Sequence, residues 1–247
     1  MALLKNKKLS PRGRDFRRSL RQAASPAKKK ILQSFFKTGP GEYAEGDLFL
    51  GVTVPETRRL IRRFPDLTDG DLLYFLRSPF HEERLAALMR QVDRFRQAGL
   101  QEREKIFNQY LLGARHVNNW DLVDLSAPGI AGEYLVQVPG RRKILDRLAR
   151  SSNLWERRIA VVACLTLIRR NEFKDLYRVT RILMRDPEDL IHKACGWMLR
   201  EAGKRNQASE EAFLRRYYKA MPRTMLRYAI ERFRPALRKA YLEGRIR

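Results

Sequence analysis

Apolar side chains recur about three and four residues apart from residue 27 almost to the C-terminus, which is the spacing of one face of an α-helix. Alternation of apolar and polar positions, which marks a half-buried strand, is scarce. Clusters of Pro, Gly, Asn and Asp interrupt the pattern, and Pro55, Pro128 and Pro222 stand where helices are expected to begin. The pattern therefore predicts an all-α protein. The predicted helices cover residues 27–36, 55–64, 69–77, 80–98, 101–112, 119–125, 128–136, 140–149, 152–170, 172–185, 187–203, 209–219, 222–231 and 233–242.

A charged residue followed by a small apolar one recurs along these helices. The small residues Ala86, Ala160, Ala194 and Ala229 are 74, 34 and 35 residues apart, and a further unit would centre near Val123. A helix pair repeated at this period is typical of a solenoid, in which small residues let neighbouring helices approach closely. We therefore expect a right-handed solenoid of antiparallel helix pairs with a concave basic groove.

The basic residues one or two positions before the recurring small residues are the candidates for lining that groove. They are Arg84, Arg158, Lys193 and Arg227. In the alternative interpretation these residues lie on ordinary solvated faces of amphipathic helices. The recurrence at one register favours the groove.

The chain is strongly basic, with 52 Lys and Arg against 28 Asp and Glu and a formal net charge of +24. Such an excess favours a nucleic acid or an anionic membrane surface as partner. Residues 1–30 hold eleven Lys and Arg against the single acid Asp15. We therefore expect a flexible basic arm over residues 1–26, with one short helix at 14–24, followed by a single domain over 27–247.

The sequence shows no pattern typical of a disulfide, a metal site, a cofactor or a membrane span. Cys164 and Cys195 lie inside apolar helical patterns, which favours buried reduced thiols. The three histidines, His81, His116 and His192, are isolated, so no metal site is expected, and no cofactor motif is present. No apolar run approaches the roughly 18 residues of a membrane span. We expect a cytoplasmic monomer, associated with the nucleoid in a bacterium, that does not bind membranes.

The segment Asn118–Asp124 holds the most distinctive pair of side chains. Trp120 and Asp124 are four residues apart, so a helix would place them on one face. An indole beside a carboxylate, in so basic a chain, suggests a site that holds something cationic. In the alternative interpretation Trp120 and Trp197 are core residues, the commonest use of large aromatic side chains.

Several segments, in the same order along the chain, resemble the AlkD-type DNA alkylation-repair glycosylases. The resemblance covers roughly residues 27–240, and its segments together are highly specific. They are Phe35–Asp47, Phe49–Val52 with Pro55, Trp120–Asp124, Leu154–Arg158 and Gly196–Glu201.

The resemblance implies a HEAT-like helical repeat that binds duplex DNA and hydrolyses the N-glycosidic bond of cationic N3- or N7-alkylated purines. The expected product is an abasic site, formed without metal or cofactor. The catalytic aspartate of the family corresponds to Asp124, the lesion-site tryptophans to Trp120 and Trp197, and the active-site arginine to Arg158. A family tyrosine corresponds to Tyr43. The expected DNA contacts are Tyr43, Arg84, Lys193, Arg200 and Arg227.

The chemistry of these residue types is consistent with that reaction. An alkylated purine is already cationic and leaves readily, while the sugar becomes oxocarbenium-like. A carboxylate such as Asp124 can stabilise that charge and orient the attacking water. Indole faces attract cations by about 0.5–2 kcal/mol each, and Arg158 suits a phosphate oxygen.

Two other functions fit the same helical pattern and charge. One is a non-catalytic HEAT-repeat protein that binds nucleic acid or scaffolds a complex, and the other is an RNA-binding solenoid. Charge does not separate these from a glycosylase, whereas release of alkylated bases does.

Overall fold

A computed structural model describes residues 8–246 of the protein, and these residues are almost entirely helical. Within that range the sole extended pairing is an isolated parallel bridge between Leu48 and Phe80. The all-α prediction is therefore confirmed. The chain divides into two compact units between Ser126 and Ala127, and each unit is described by itself below.

The first unit contains seven α-helices among its described residues and a short 3₁₀ turn at Ala114–His116. Helices α3, α4, α6 and α7 all pack against α5, which is buried on most of its circumference. The helices are α1 (Pro11–Gln22), α2 (Pro26–Phe35), α3 (Val54–Arg62), α4 (Asp69–Leu76), α5 (His81–Gln97), α6 (Leu100–Leu112) and α7 (Trp120–Ser126).

Helix α1 is a packed part of the first unit, which corrects the expectation of a flexible arm for residues 11–22. Phe16 and Leu20, one turn apart, are both 0% exposed. The Phe16 ring lies edge-on to Phe64 and Phe75, with centroid distances of 5.4 and 5.2 Å. The basic residues around this short apolar stripe hid it in the sequence. Residues 1–7 of the expected arm lie outside the described residues.

Hydrogen bonds and ion pairs reinforce this packing. The Asp71 carboxylate accepts from the backbone N and the Oγ of Ser10, both at 2.8 Å, and also caps the start of α4. Arg17 donates to the fully buried Glu83 at 3.1 Å. Part of the basic charge near the N-terminus therefore neutralises a buried acid of the protein itself.

We predict that Phe16→Ala lowers the free energy of unfolding by about 3–5 kcal/mol, because it removes a buried ring and leaves a cavity. Urea unfolding measures the change. Arg18→Ala is the control, since the Arg18 side chain is 70% exposed and should alter stability by no more than about 0.5 kcal/mol. Equal stability of the two variants would contradict the packing of α1.

The second unit is built around a long helix, α13, against which α10, α14 and α15 pack. Its helices are α8 (Glu133–Gln137), α9 (Ile144–Ala149), α10 (Leu154–Val162), α11 (Cys164–Arg169), α12 (Lys174–Leu183), α13 (Asp189–Arg205), α14 (Gln207–Tyr217), α15 (Arg223–Ala229) and α16 (Pro235–Leu242). Short 3₁₀ turns lie at Pro139–Arg141 and Ile230–Arg232.

Four predicted helices are divided in the structure. Those expected at 140–149 and 222–231 each include one of the 3₁₀ turns. The helix expected at 128–136 begins as a π-helical turn, Pro128–Gly132, and continues as α8. The helix expected at 152–170 breaks at Ala163 into α10 and α11. The Thr166 hydroxyl donates to the Pro128 carbonyl at 2.9 Å, so contacts between distant segments accompany these last two departures from one regular helix.

The small residues of the predicted repeat are buried, as close helix packing requires. Ala86, Ala160, Ala194 and Ala229 are each at most 1% exposed, and Val123 of the further unit is 0% exposed. The right-handed sense of the repeat and its concave groove stay predictions.

At Gly196, α13 lies close against α15. A Cβ at this position would lie 2.5 Å from the Met225 carbonyl oxygen and 2.5 Å from the Tyr228 Cβ. We therefore predict that Gly196→Ala lowers the free energy of unfolding by about 1–3 kcal/mol through overpacking. A Cβ at Gly140 would meet nothing within 4 Å, so Gly140→Ala is the matched control in calorimetric melting. Equal melting temperatures would refute the close approach.

Candidate functional site

Helix α7 presents Trp120 and Asp124 on one face, as the sequence predicts. Both side chains are partly exposed, whereas Leu122 and Val123 on the other side of the helix are 0% exposed. The helix is also held at its end, where the Ser126 hydroxyl lies 2.9 Å from the hydroxyl of the buried Tyr110. The burial of one face thus orients the other, which carries the candidate catalytic carboxylate.

The Trp120 ring is fixed by a hydrogen bond and by neighbouring aromatic rings. Its Nε1 donates to the Tyr43 hydroxyl at 3.1 Å. Its centroid lies 5.4 Å from that of the buried Phe36 and 5.9 Å from that of the exposed Phe35. Trp120 and Tyr43 both pack against the core cluster that includes Phe36 and Phe49. Two of the residues named by the resemblance, Trp120 and Tyr43, therefore meet.

A buried charge network holds the start of α7. The Asp47 carboxylate, 5% exposed, lies 2.7 Å from Arg84 Nη2 and 3.6 Å from His81 Nδ1. The other ring nitrogen, Nε2, lies 2.9 Å from Asp121 in the first turn of α7. The Asn119 side chain donates to Asp47 at 3.3 Å and accepts from the Trp120 backbone N at 2.8 Å. The network thus connects the loop before α3, the start of α5 and the start of α7.

The protonation states of this network follow from burial opposed by charge. Burial of His81 lowers its pKa, but the carboxylates of Asp121 and Asp47 outweigh that effect, and its pKa is raised overall. Burial of Asp47 raises its pKa, but His81 and Arg84 outweigh that effect, and its pKa is lowered. The network is therefore a set of oppositely charged partners.

The expectation that Arg84 contacts DNA is corrected by this network. Arg84 is 3% exposed, and besides its ion pair with Asp47 it donates to the Ser78 carbonyl at 2.8 Å. A guanidinium buried in this way does not present a cation to a phosphate. The buried partner of that guanidinium is Asp47.

Sequence reasoning missed two further buried carboxylates on α5. The Glu82 carboxylate accepts from the backbone N of Leu50, Gly51 and Val52 at 2.8–3.1 Å. Glu83 pairs with Arg17, as described above. The sequence does show two adjacent acids at a predicted helix start. It does not show their partners, which lie more than 25 residues away along the chain.

The second unit contains the remaining residues that the resemblance names. Arg158 is 5% exposed and donates from Nη1 to the Leu190 carbonyl at 2.7 Å. Trp197 is partly exposed, and its Nε1 donates to Glu201, one turn further along α13, at 3.2 Å. Trp155 is 7% exposed and belongs to the core. Trp197 is thus more open to a ligand than Trp155.

The other expected DNA contacts in this unit differ in their surroundings. Arg227 is exposed. The Lys193 ammonium lies 2.8 Å from Asp189, and Arg200 forms an ion pair with Glu231. Both acids are about half-exposed, so these pairs lie near the surface and resemble solvated pairs, which contribute little to stability.

Neither a metal centre nor a membrane span is found in the described part of the chain. Along residues 8–246, no group of His, Cys, Asp and Glu could hold a metal ion. In the same range, no helix is long and apolar enough to span a bilayer. Cys164 and Cys195 are buried free thiols whose pKa values are raised by burial.

Comparison with known proteins identifies the family. A family model for DNA alkylation repair enzymes matches residues 16–233. The matched segment begins within α1. This chain belongs to that family. A solved structure of a predicted DNA alkylation repair enzyme from Enterococcus faecalis shares the fold, with a TM-score of 0.68 and 17% sequence identity. The match covers 86% of this chain and 97% of that chain. No curated protein sequence matches significantly.

The raised pKa of His81 predicts a dependence of stability on pH. Its stabilising effect is complete below the unfolded pKa of about 6.5 and is lost as the pH rises through the higher folded pKa. As the pH rises from about 6.5 through the folded pKa, the free energy of unfolding in urea should therefore fall in the wild type and fall less in His81→Gln. His116, whose pKa is lowered by burial, supplies the control. His116→Gln should alter the curve only below about pH 6.5. A fall of the same size in His81→Gln would refute the ion pairing.

Proposed function

We propose that this protein is a monofunctional DNA glycosylase that hydrolyses the N-glycosidic bond of cationic N3- or N7-alkylated purines in duplex DNA. Membership of the DNA alkylation repair family supports the substrate class. The observation that carries the reaction is the pairing, on one partly exposed face of α7, of a fixed indole with a carboxylate one turn away. A net charge of +24 favours the polyanionic substrate.

The proposed reaction needs stabilisation of a developing cation more than it needs acid catalysis. The C1′–N bond breaks with both electrons going to the purine, which neutralises its positive charge. The sugar becomes oxocarbenium-like, and a water oxygen bonds to C1′ and releases a proton to the solvent. Asp124 would stabilise the sugar cation and orient that water. Because no amine attacks the sugar in this scheme, the product is an intact strand with an abasic site.

Trp120 would bind the cationic base or sugar through its ring face, a contact worth about 0.5–2 kcal/mol. The hydrogen bond from Trp120 Nε1 to Tyr43 and the contact with Phe36 hold the ring before substrate binds. A ring already held in position loses little side-chain entropy on binding. Tyr43 is therefore proposed as a positioning residue for Trp120.

In the second unit, the partly exposed Trp197 would offer an indole face to DNA. Its hydrogen bond to Glu201 restrains the ring. Arg158 is 5% exposed and donates to the Leu190 carbonyl, so its proposed role is to position its neighbours in this unit rather than to contact a phosphate. Lys193, Arg200 and Arg227 are proposed to contribute sequence-independent attraction to the DNA backbone.

The decisive measurement is release of 7-methylguanine and 3-methyladenine from methylated duplex DNA under single-turnover conditions. We predict that Asp124→Asn slows release by about 10²–10³-fold, the typical cost of removing one preorganised electrostatic group. Asp93→Asn is the matched control, because the Asp93 side chain is 35% exposed and pairs with Arg96 at 3.7 Å. It should release bases at the wild-type rate.

Each outcome separates the candidate functions. Equal release by wild type and Asp124→Asn would remove Asp124 from the reaction. No release by wild-type protein that still binds duplex DNA would favour the non-catalytic repeat protein. Preference for RNA over duplex DNA, without base release, would favour the RNA-binding solenoid.

A further inference from the structure

Helix α2 is unusual in the first unit because none of its residues is buried. Ile31 and Phe35, one turn apart and therefore on one face, are 68% and 61% exposed. An exposed aliphatic residue alone needs no explanation, but two large apolar side chains sharing a face suggest a contact surface. We call Ile31 and Phe35 the apolar face of α2.

The structure holds α2 by its start and leaves this face open. The backbone N of Ser25 donates to the Leu50 carbonyl at 3.1 Å. Gly51 has φ +86°, and a Cβ there would lie 2.1 Å from the Ser25 carbonyl oxygen, so the chain passes closely beneath the start of α2. The carboxylate of Glu82 in turn binds the loop through the Leu50 and Gly51 backbone N atoms. The helix is therefore positioned without using Ile31.

The charges on α2 specify the chemistry of a partner. Lys28, Lys29 and Lys30 lie near its N-terminus, and the helix contains no acid. Cations at a helix N-terminus oppose the helix dipole, so this arrangement costs some local stability, which a bound anion would offset. A polyanion supplies that compensation.

The apolar face also adjoins the candidate site. The Phe35 ring lies edge-on to Trp120 at a centroid distance of 5.9 Å and edge-on to Phe36 at 5.0 Å. A ligand touching the exposed side of Trp120 is therefore within reach of Phe35. This continuity favours nucleic acid over a lipid surface as the occupant.

We propose that α2 is a DNA-binding element in which Phe35 and Ile31 contact the nucleotides beside the one at Trp120 while Lys28, Lys29 and Lys30 contact phosphates. Apolar side chains flanked by cations are a recurrent way of contacting DNA in its grooves. The position of the lesion at Trp120 rests on the proposed function. The contact of α2 with duplex DNA is independent of whether the protein is a glycosylase.

The test compares Phe35→Ala with Leu112→Ala in the full-length protein. Leu112 is an 84% exposed apolar residue at the end of α6 and serves as the matched control. Fluorescence anisotropy measures the Kd for an undamaged duplex over a series of salt concentrations. Phe35→Ala should raise the Kd about tenfold, as expected when one aromatic ring no longer packs on a base, and leave the salt slope unchanged. Leu112→Ala should match wild type in both.

A second variant tests the charged part of the proposal. Replacing Lys28, Lys29 and Lys30 together by Gln should reduce the slope of log K against log salt by about 0.9 for each phosphate that the protein no longer neutralises. Thermal melting establishes that each variant is folded, which is expected because the altered side chains are exposed or partly exposed.

The outcomes separate this proposal from the proposed glycosylase activity. Unchanged DNA affinity of Phe35→Ala, or an unchanged salt slope of the lysine variant, would overturn the role of α2. If Phe35→Ala weakens binding to phosphatidylserine vesicles and leaves DNA binding intact, the surface belongs to a membrane and the proposal is overturned as well. If wild type releases no methylated base while Phe35→Ala still weakens duplex binding, the glycosylase proposal fails and the role of α2 stands.

Discussion

The buried Asp47 carboxylate is the interaction on which the candidate site of the first unit depends. It binds Arg84 of α5 and the side chain of Asn119, and Asn119 in turn accepts from the backbone of Trp120. His81 connects the same carboxylate to Asp121. Removing one partner of a buried ion pair typically costs about 3–5 kcal/mol, because an uncompensated charge remains. The orientation of α7 is therefore tied to electrostatics as well as to the burial of Leu122.

The basic charge of this protein has two uses. Some arginines neutralise buried acids, as Arg84 does for Asp47, and Arg157 binds Asp186 at 2.6 Å in the second unit. The lysines of α2 and Arg227 lie at the surface, where they suit a polyanion. Net charge alone therefore indicates the kind of partner and does not identify the residues that meet it. Arg84 illustrates the difference. Its place in the sequence repeat predicts that it lines the groove, but it is buried and therefore does not contact DNA.

At the candidate site, a restrained aromatic side chain lies beside an exposed one. Trp120 is held by Tyr43 and by the buried Phe36, whereas Phe35 next to it is largely exposed. A held indole suits recognition of one damaged nucleotide, and an exposed ring beside it suits contact with its neighbours. The end of α2 thus contributes Phe36 to the core and Phe35 to the proposed binding surface.

The sequence by itself determined the helical class, most of the helices and the pairing of Trp120 with Asp124, because helical periodicity depends on residues three or four positions apart. The family motifs likewise pointed to Tyr43, which meets Trp120. Only the tertiary structure decided that α1 is packed, that Arg84 is buried and that His81 joins Asp47 to Asp121. The two partners of His81 lie 34 and 40 positions away along the chain. Burial and ion pairing at such separations depend on how the helices pack, which no local pattern records.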